Sequence, residues 1–74
     1  MKYLTNEGDP IEIQVGDEVY VDEGDSHGQI EFSGVVTGTY AKYFAVKPND
    51  LTGVLNRRVI PPMVVDIQIT RRVR

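Results

Sequence analysis

His27 stands beside Ser26 in Asp22-Glu23-Gly24-Asp25-Ser26-His27-Gly28, and it is the one histidine of the chain. Serine and imidazole are two members of a nucleophilic triad. Neighbours in extended chain point in divergent directions, and the ring also needs a carboxylate on its far side. The pair therefore reads as a solvated loop. The same stretch holds Asp22, Glu23, Asp25 and His27, all metal-ligand types. A calcium loop needs ligands at alternate positions and a distant closing glutamate, which this spacing does not supply. No metal and no cofactor is expected. Gly34-Val35-Val36-Thr37-Gly38-Thr39 has the glycines of a phosphate loop but neither its lysine nor its following helix. Barrel corners account for those glycines.

Two binding sets remain. An acidic set, Asp22, Glu23, Asp25 and Glu31 with Tyr20, suits docking on a basic protein partner. A basic set, Lys42, Tyr43, Lys47, Arg57 and Arg58, suits nucleic acid, because cations hold phosphates and aromatic rings stack bases. The net charge of −3 argues against a general affinity for nucleic acid. The charge is uneven along the chain. Residues 1–31 hold one Lys and nine Asp or Glu, and residues 32–74 hold seven Lys or Arg with Asp50 and Asp66, giving −8 against +5. The preferred reading is that the halves interleave and neutralise one another across neighbouring antiparallel strands.

Strands must position both sets. Ile11, Ile13 and Val15 alternate with polar residues, Gly16-Asp17 interrupts as a tight turn or bulge, and Val19 and Val21 resume the alternation. This predicts strands over Ile11–Val15 and Glu18–Val21, or equally one bent continuous strand through both. From Gln29 to Tyr40 the even positions Ile30, Phe32, Gly34, Val36, Gly38 and Tyr40 form a core face. Ala41-Lys42 is a tight connection into Tyr43–Lys47, its hairpin partner, with Phe44 and Val46 facing in. Pro48-Asn49-Asp50 is a turn, and a strand follows over Gly53–Val59. Pro61-Pro62 ends it, because proline cannot donate to a ladder, and a single 3₁₀ turn fills the gap. The last strand is Met63–Thr70, with Met63, Val65, Ile67 and Ile69 inward. Tyr3 and Leu4 are expected to pack loosely on the barrel's end or to fray.

The run Val15-Gly16-Asp17-Glu18-Val19-Tyr20-Val21, a glycine-bearing loop, Gly34-Val35-Val36, a hairpin into Tyr43-Phe44-Ala45-Val46-Lys47, then a short turn and a closing strand resembles the small barrels of the Src-homology-3 type. KOW and Tudor modules share that layout. The resemblance spans residues 11–70 and implies an all-β fold, a small five- or six-stranded antiparallel barrel. Src-homology-3 domains bind polyproline on an aromatic groove, and Tudor modules hold methyl-lysine in an aromatic cage. Here Tyr3, Tyr20, Tyr40 and Tyr43 could supply part of such a groove, without tryptophan. Type II plasmid dihydrofolate reductases also place a glycine-aspartate turn before the first barrel strand. They build a pore between subunits around valine-glutamine-isoleucine-tyrosine. The nearest stretch here, Asp66-Ile67-Gln68-Ile69-Thr70, lacks the tyrosine.

With 74 residues there is room for one core. Such a core yields about 3–5 kcal/mol, so homo-oligomerisation is a natural supplement. The expected divisions are an N-terminal segment over 1–10, the barrel over 11–70 and a basic tail over 71–74. There is no cysteine, which fits a reducing compartment. Residues 1–9 hold no apolar signal-peptide core, and the longest apolar run, Val59 to Val65, is too short to span a bilayer. A cytoplasmic protein with no membrane partner is expected. The function expected is a non-enzymatic binding module, a protein-interaction or regulatory accessory protein. The alternatives are a nucleic-acid-binding module and an oligomeric enzyme with a site between subunits.

Overall fold

The computed structural model describes residues 1–24, 31–49 and 56–73. These form seven strands in two sheets, β1 (Lys2–Leu4), β2 (Pro10–Glu12), β3 (Glu18–Asp22), β4 (Glu31–Thr39), β5 (Phe44–Pro48), β6 (Arg57–Val59) and β7 (Asp66–Arg71). A 3₁₀ turn over Pro61–Met63 joins β6 to β7. The larger sheet has the order β6-β5-β4-β3-β7, and β1 pairs with β2 alone. Every pairing is antiparallel. β3 to β6 therefore form a meander, and β7 returns to lie beside β3. This is the layout of meander, short turn and closing strand expected from the sequence. The outer strands β6 and β7 do not pair with each other, so the sheet curls without closing.

Alternation builds the core as predicted over β3, β4 and β5. Val19 lies across from Gly34 on one side and Ile69 on the other, and Val21 across from Phe32 and Ile67. Phe44 faces Val59 across the β5–β6 ladder. Val19, Val21, Phe44, Val46 and Val59 are fully buried. Each such side chain contributes about 1.5–3 kcal/mol on burial. A bulge between Val36 and Gly38 bends β4, as a strongly curved small sheet needs. Beyond it Tyr40 turns outward, so the predicted core face ends at Gly38.

The Gly16-Asp17 turn is also present, with Gly16 at φ 98° in the region glycine tolerates. It differs from expectation in what surrounds it. The strand expected over Ile11–Val15 is only Pro10–Glu12, and it pairs with β1. Ile13 is buried, but Val15 is exposed because the Gln14–Asp17 turn has already begun, with Asp17 N–H donating to the Gln14 carbonyl at 3.0 Å.

The N-terminal segment is corrected most. Tyr3 neither frays nor packs loosely. Its ring lies 5.6 Å from that of Phe44, and its hydroxyl lies 2.7 Å from the Tyr40 carbonyl and 2.9 Å from that of Tyr43. It also accepts the Tyr40 N–H at 3.1 Å. Burial pushes this hydroxyl's pKa up. The β1–β2 hairpin is thus pinned to the β4–β5 connection, and the division drawn after residue 10 falls inside β2.

The final strand is shifted as well. It spans Asp66–Arg71, and Val64 rather than Val65 is buried while Met63 is 75 % exposed. Met63 belongs to the 3₁₀ turn, whose three-residue repeat breaks the two-residue phase. The strand expected over Gly53–Val59 is described only as Arg57–Val59, its earlier part lying outside the described residues.

Opposite charges from the two halves do meet. Arg57 binds Glu23 at 2.5 Å, Arg71 approaches Glu18 at 3.7 Å, and Arg72 approaches Asp17 at 3.7 Å. Among the described residues no helix is long and apolar enough to cross a membrane.

Candidate functional site

The acidic set lies where β3 and β4 approach their connecting loop. Tyr20 and Glu31 are on adjacent strands, and the Tyr20 hydroxyl donates to Glu31 Oε2 at 2.6 Å. Asp22 ends β3 and is 8 % exposed, with Oδ1 accepting the Gly24 N–H at 2.9 Å. It lies across from Glu31 on β4 and from Asp66 on β7. Glu23 is held by Arg57. Asp25 lies outside the described residues, as do Ser26 and His27. The described part of the acidic set is therefore engaged with its own neighbours. Among the described residues no group of three or more His, Cys, Asp or Glu is arranged to hold a metal ion.

The hydrogen bond to Glu31 pushes the Tyr20 pKa up to about 12, with desolvation and the charges of Glu31, Asp22 and Asp66 adding to it. The folded state favours the neutral phenol, so the stabilisation is complete below the ordinary tyrosine pKa of about 10. It is lost as pH rises through the folded value of about 12. Glu31→Gln should draw this ionisation back toward about 10. Tyrosinate absorbance at about pH 11 should then rise over the parent, by less than one full tyrosine because desolvation, Asp22 and Asp66 remain. Equal absorbance in the two proteins would contradict the Tyr20–Glu31 bond.

The basic set is split by the pleat. Arg57 and Arg58 are consecutive on β6, so they face opposite sides of it. Arg57 turns to Glu23 and lies over the Phe32 ring at 5.1 Å from its centroid. Arg58 lies over the Tyr43 ring at 4.8 Å, and Tyr43 stacks on Tyr40 with centroids 4.8 Å apart. Lys42 is exposed in the β4–β5 connection beside them. Lys47 is exposed on β5 across from Val35. The structure thus brings Tyr43 and Arg58 together with Lys42 next to Tyr43 in the chain, leaves Lys47 farther along the strand, and turns Arg57 to Glu23.

Beside that group lies a surface that alternation did not reveal. Leu4, Ile60, Pro62 and Met63 are exposed, and Ile60 shares one cleft with Leu4 and Pro62 and another with Met63. Ile60 lines two shallow clefts. One, of about 340 Å³, is bordered by Lys2, Leu4, Ala41, Lys42 and Pro62 with Tyr3. The other, of about 230 Å³, is bordered by Glu23, Arg58, Met63 and Val64.

No protein-family model, no curated protein and no solved structure matches this chain.

Function is therefore argued from the surface alone. The Ile60 face follows from Pro61-Pro62, which ends β6 at Val59 and opens the 3₁₀ turn in which Pro62 and Met63 are exposed. That proline pair was the available signal. A residue after it cannot be assigned a face by counting from the strand before it. Chemically the face offers shallow apolar seats with cations at their borders, which is the make-up of a contact surface.

Proposed function

We propose that this protein is a non-enzymatic interaction module that binds another protein through the Ile60 face. The observation that carries the reading is the gathering of Leu4, Ile60, Pro62 and Met63, drawn from β1 and from the β6–β7 connection, around two adjoining clefts. Single exposed apolar residues are ordinary on a small protein; a group assembled from separate elements marks a contact site. The acidic set supports docking less well, because Glu23 and Glu31 already have partners within the fold.

The test is a displayed library of random peptides panned against the immobilised protein, with Ile60→Asp as the counter-target. Ile60 is 39 % exposed, so the change leaves the core in place. Selected peptides should bind the parent at least about 30-fold more tightly than Ile60→Asp, the effect of losing one central contact. A library that yields nothing preferring the parent over Ile60→Asp would overturn the reading.

A further inference from the structure

We infer that the Ile60 face takes an acidic segment of its partner, with apolar side chains seated beside Ile60 and carboxylates meeting Lys42 and Arg58. The inference rests on the interaction-module reading and adds the partner's chemistry.

The unpaired charge bordering the two clefts is positive among the described residues. Lys42 borders one cleft and Arg58 the other, and neither forms an ion pair among the described residues. The carboxylate at the border, Glu23, is taken up by Arg57. Lys2 stands across β1–β2 from Glu12. Glu12 is itself held by the N-terminal ammonium, whose hydrogen bond lowers its pKa. A segment crossing Ile60 therefore meets, on both sides, positive charge that forms no ion pair among the described residues. Arg58 is also pre-positioned. Its guanidinium rests on Tyr43, which rests on Tyr40. A stacked guanidinium loses little freedom on binding and presents a planar fork that matches a carboxylate. The same stacking disfavours nucleic acid, since the aromatic ring nearest the cations is already in contact with Tyr40 and Arg58 and offers less area to a base.

The experiment uses the peptides selected above, labelled with fluorescein and titrated by anisotropy. They should be rich in Asp and Glu beside apolar residues. Lys42→Glu, at an exposed turn position, should weaken them about five-fold, the upper range for one exposed charge contact. A peptide with lysine in place of the facing acid should restore binding to Lys42→Glu. Raising salt to about 0.5 M should weaken the parent complex as well. Neutral or basic peptides that need Ile60 and ignore salt would overturn the acidic partner while leaving the docking face intact. Peptides indifferent to Ile60→Asp would overturn both. Tighter binding of an oligouridine strand than of any peptide would overturn both in favour of nucleic acid. Self-association of the parent that Ile60→Asp abolishes would assign the face to a second copy of this chain and overturn the inference.

Discussion

Adding one methyl group at Gly34 should remove most of this protein's stability. A Cβ there would lie 2.3 Å from the Lys47 carbonyl oxygen, 2.6 Å from Val46 Cγ1 and 2.9 Å from the Lys47 carbonyl carbon. Two of these atoms are backbone of the neighbouring strand, so no side-chain rotation relieves the contact. β5 would have to move away from β4 at the rung where Gly34 faces Pro48. Overpacking of a tight core costs about 1–3 kcal/mol, more where backbone is the obstacle. Set against about 3–5 kcal/mol for a core of this size, Gly34→Ala should lose its cooperative urea transition or show it at less than half the parent midpoint. Two other glycines calibrate the effect. Gly8 has φ 83° and nothing within 4 Å of its missing Cβ, so Gly8→Ala should cost only the dihedral penalty of about 1–2 kcal/mol. Gly38 would meet the ring end of Tyr40, a half-exposed side chain stacked on Tyr43 and not strand backbone, so Gly38→Ala should shift that stack and be milder than Gly34→Ala. A Gly34→Ala midpoint no lower than that of Gly8→Ala would show that β4 and β5 are not packed this closely.

Asp17→Ala is the second large effect. Asp17 is wholly buried, and its carboxylate joins the Gln14 turn to the chain near Val73. Oδ2 accepts the Gln14 N–H at 3.0 Å, and Oδ1 accepts the Val73 N–H at 2.9 Å. Arg72 lies 3.7 Å from Oδ2 but is half exposed, so that attraction is largely screened. The Asp17 carbonyl accepts the Val36 N–H at 2.9 Å, which ties the same residue to β4. The backbone bond survives substitution; the two side-chain bonds do not. Alanine leaves two partly buried N–H groups without acceptors, at about 1–3 kcal/mol each. A loss of about 3 kcal/mol is expected, read as a fall in urea midpoint at unchanged slope. Asp17→Asn retains one oxygen acceptor and should lose roughly half as much. Amide exchange should show Val73 and Gln14 exposed in Asp17→Ala while the β3–β4 ladder stays protected. Uniform loss of protection, with Val73 no more affected than the rest, would contradict a local clamp.

Asp17 also shows what sequence reading can and cannot reach. The Gly16-Asp17 turn is legible because both residues favour turns wherever they occur. That the aspartate is buried, and clamps residues near the C-terminus, is not legible, because Val73 is 56 residues away. Tyr3 is the same case. Nothing in Lys2-Tyr3-Leu4 marks the tyrosine as core, since the three acceptor and donor groups around its hydroxyl belong to Tyr40 and Tyr43. That consecutive Arg57 and Arg58 diverge follows from the strand's pleat, but that Arg57 meets Phe32 and Glu23 while Arg58 meets Tyr43 is decided by the neighbouring strands.

Period-two alternation is a local property that one buried face imposes on a strand. It was enough to specify an all-β chain, the inward faces of β3 and β5 and of β4 as far as Gly38, the hairpin between β4 and β5, and the break at Pro61-Pro62. The uneven charge was enough to imply that the two halves neutralise one another, as Arg57 with Glu23 and Arg71 with Glu18 do. Folding alone decided that Tyr3 is core, that Asp17 is buried, that Val64 replaces Val65 inside, and that Leu4, Ile60, Pro62 and Met63 share one surface. These depend on which distant segment a residue meets, and on a 3₁₀ turn that resets the phase. A pattern with memory of two residues carries neither.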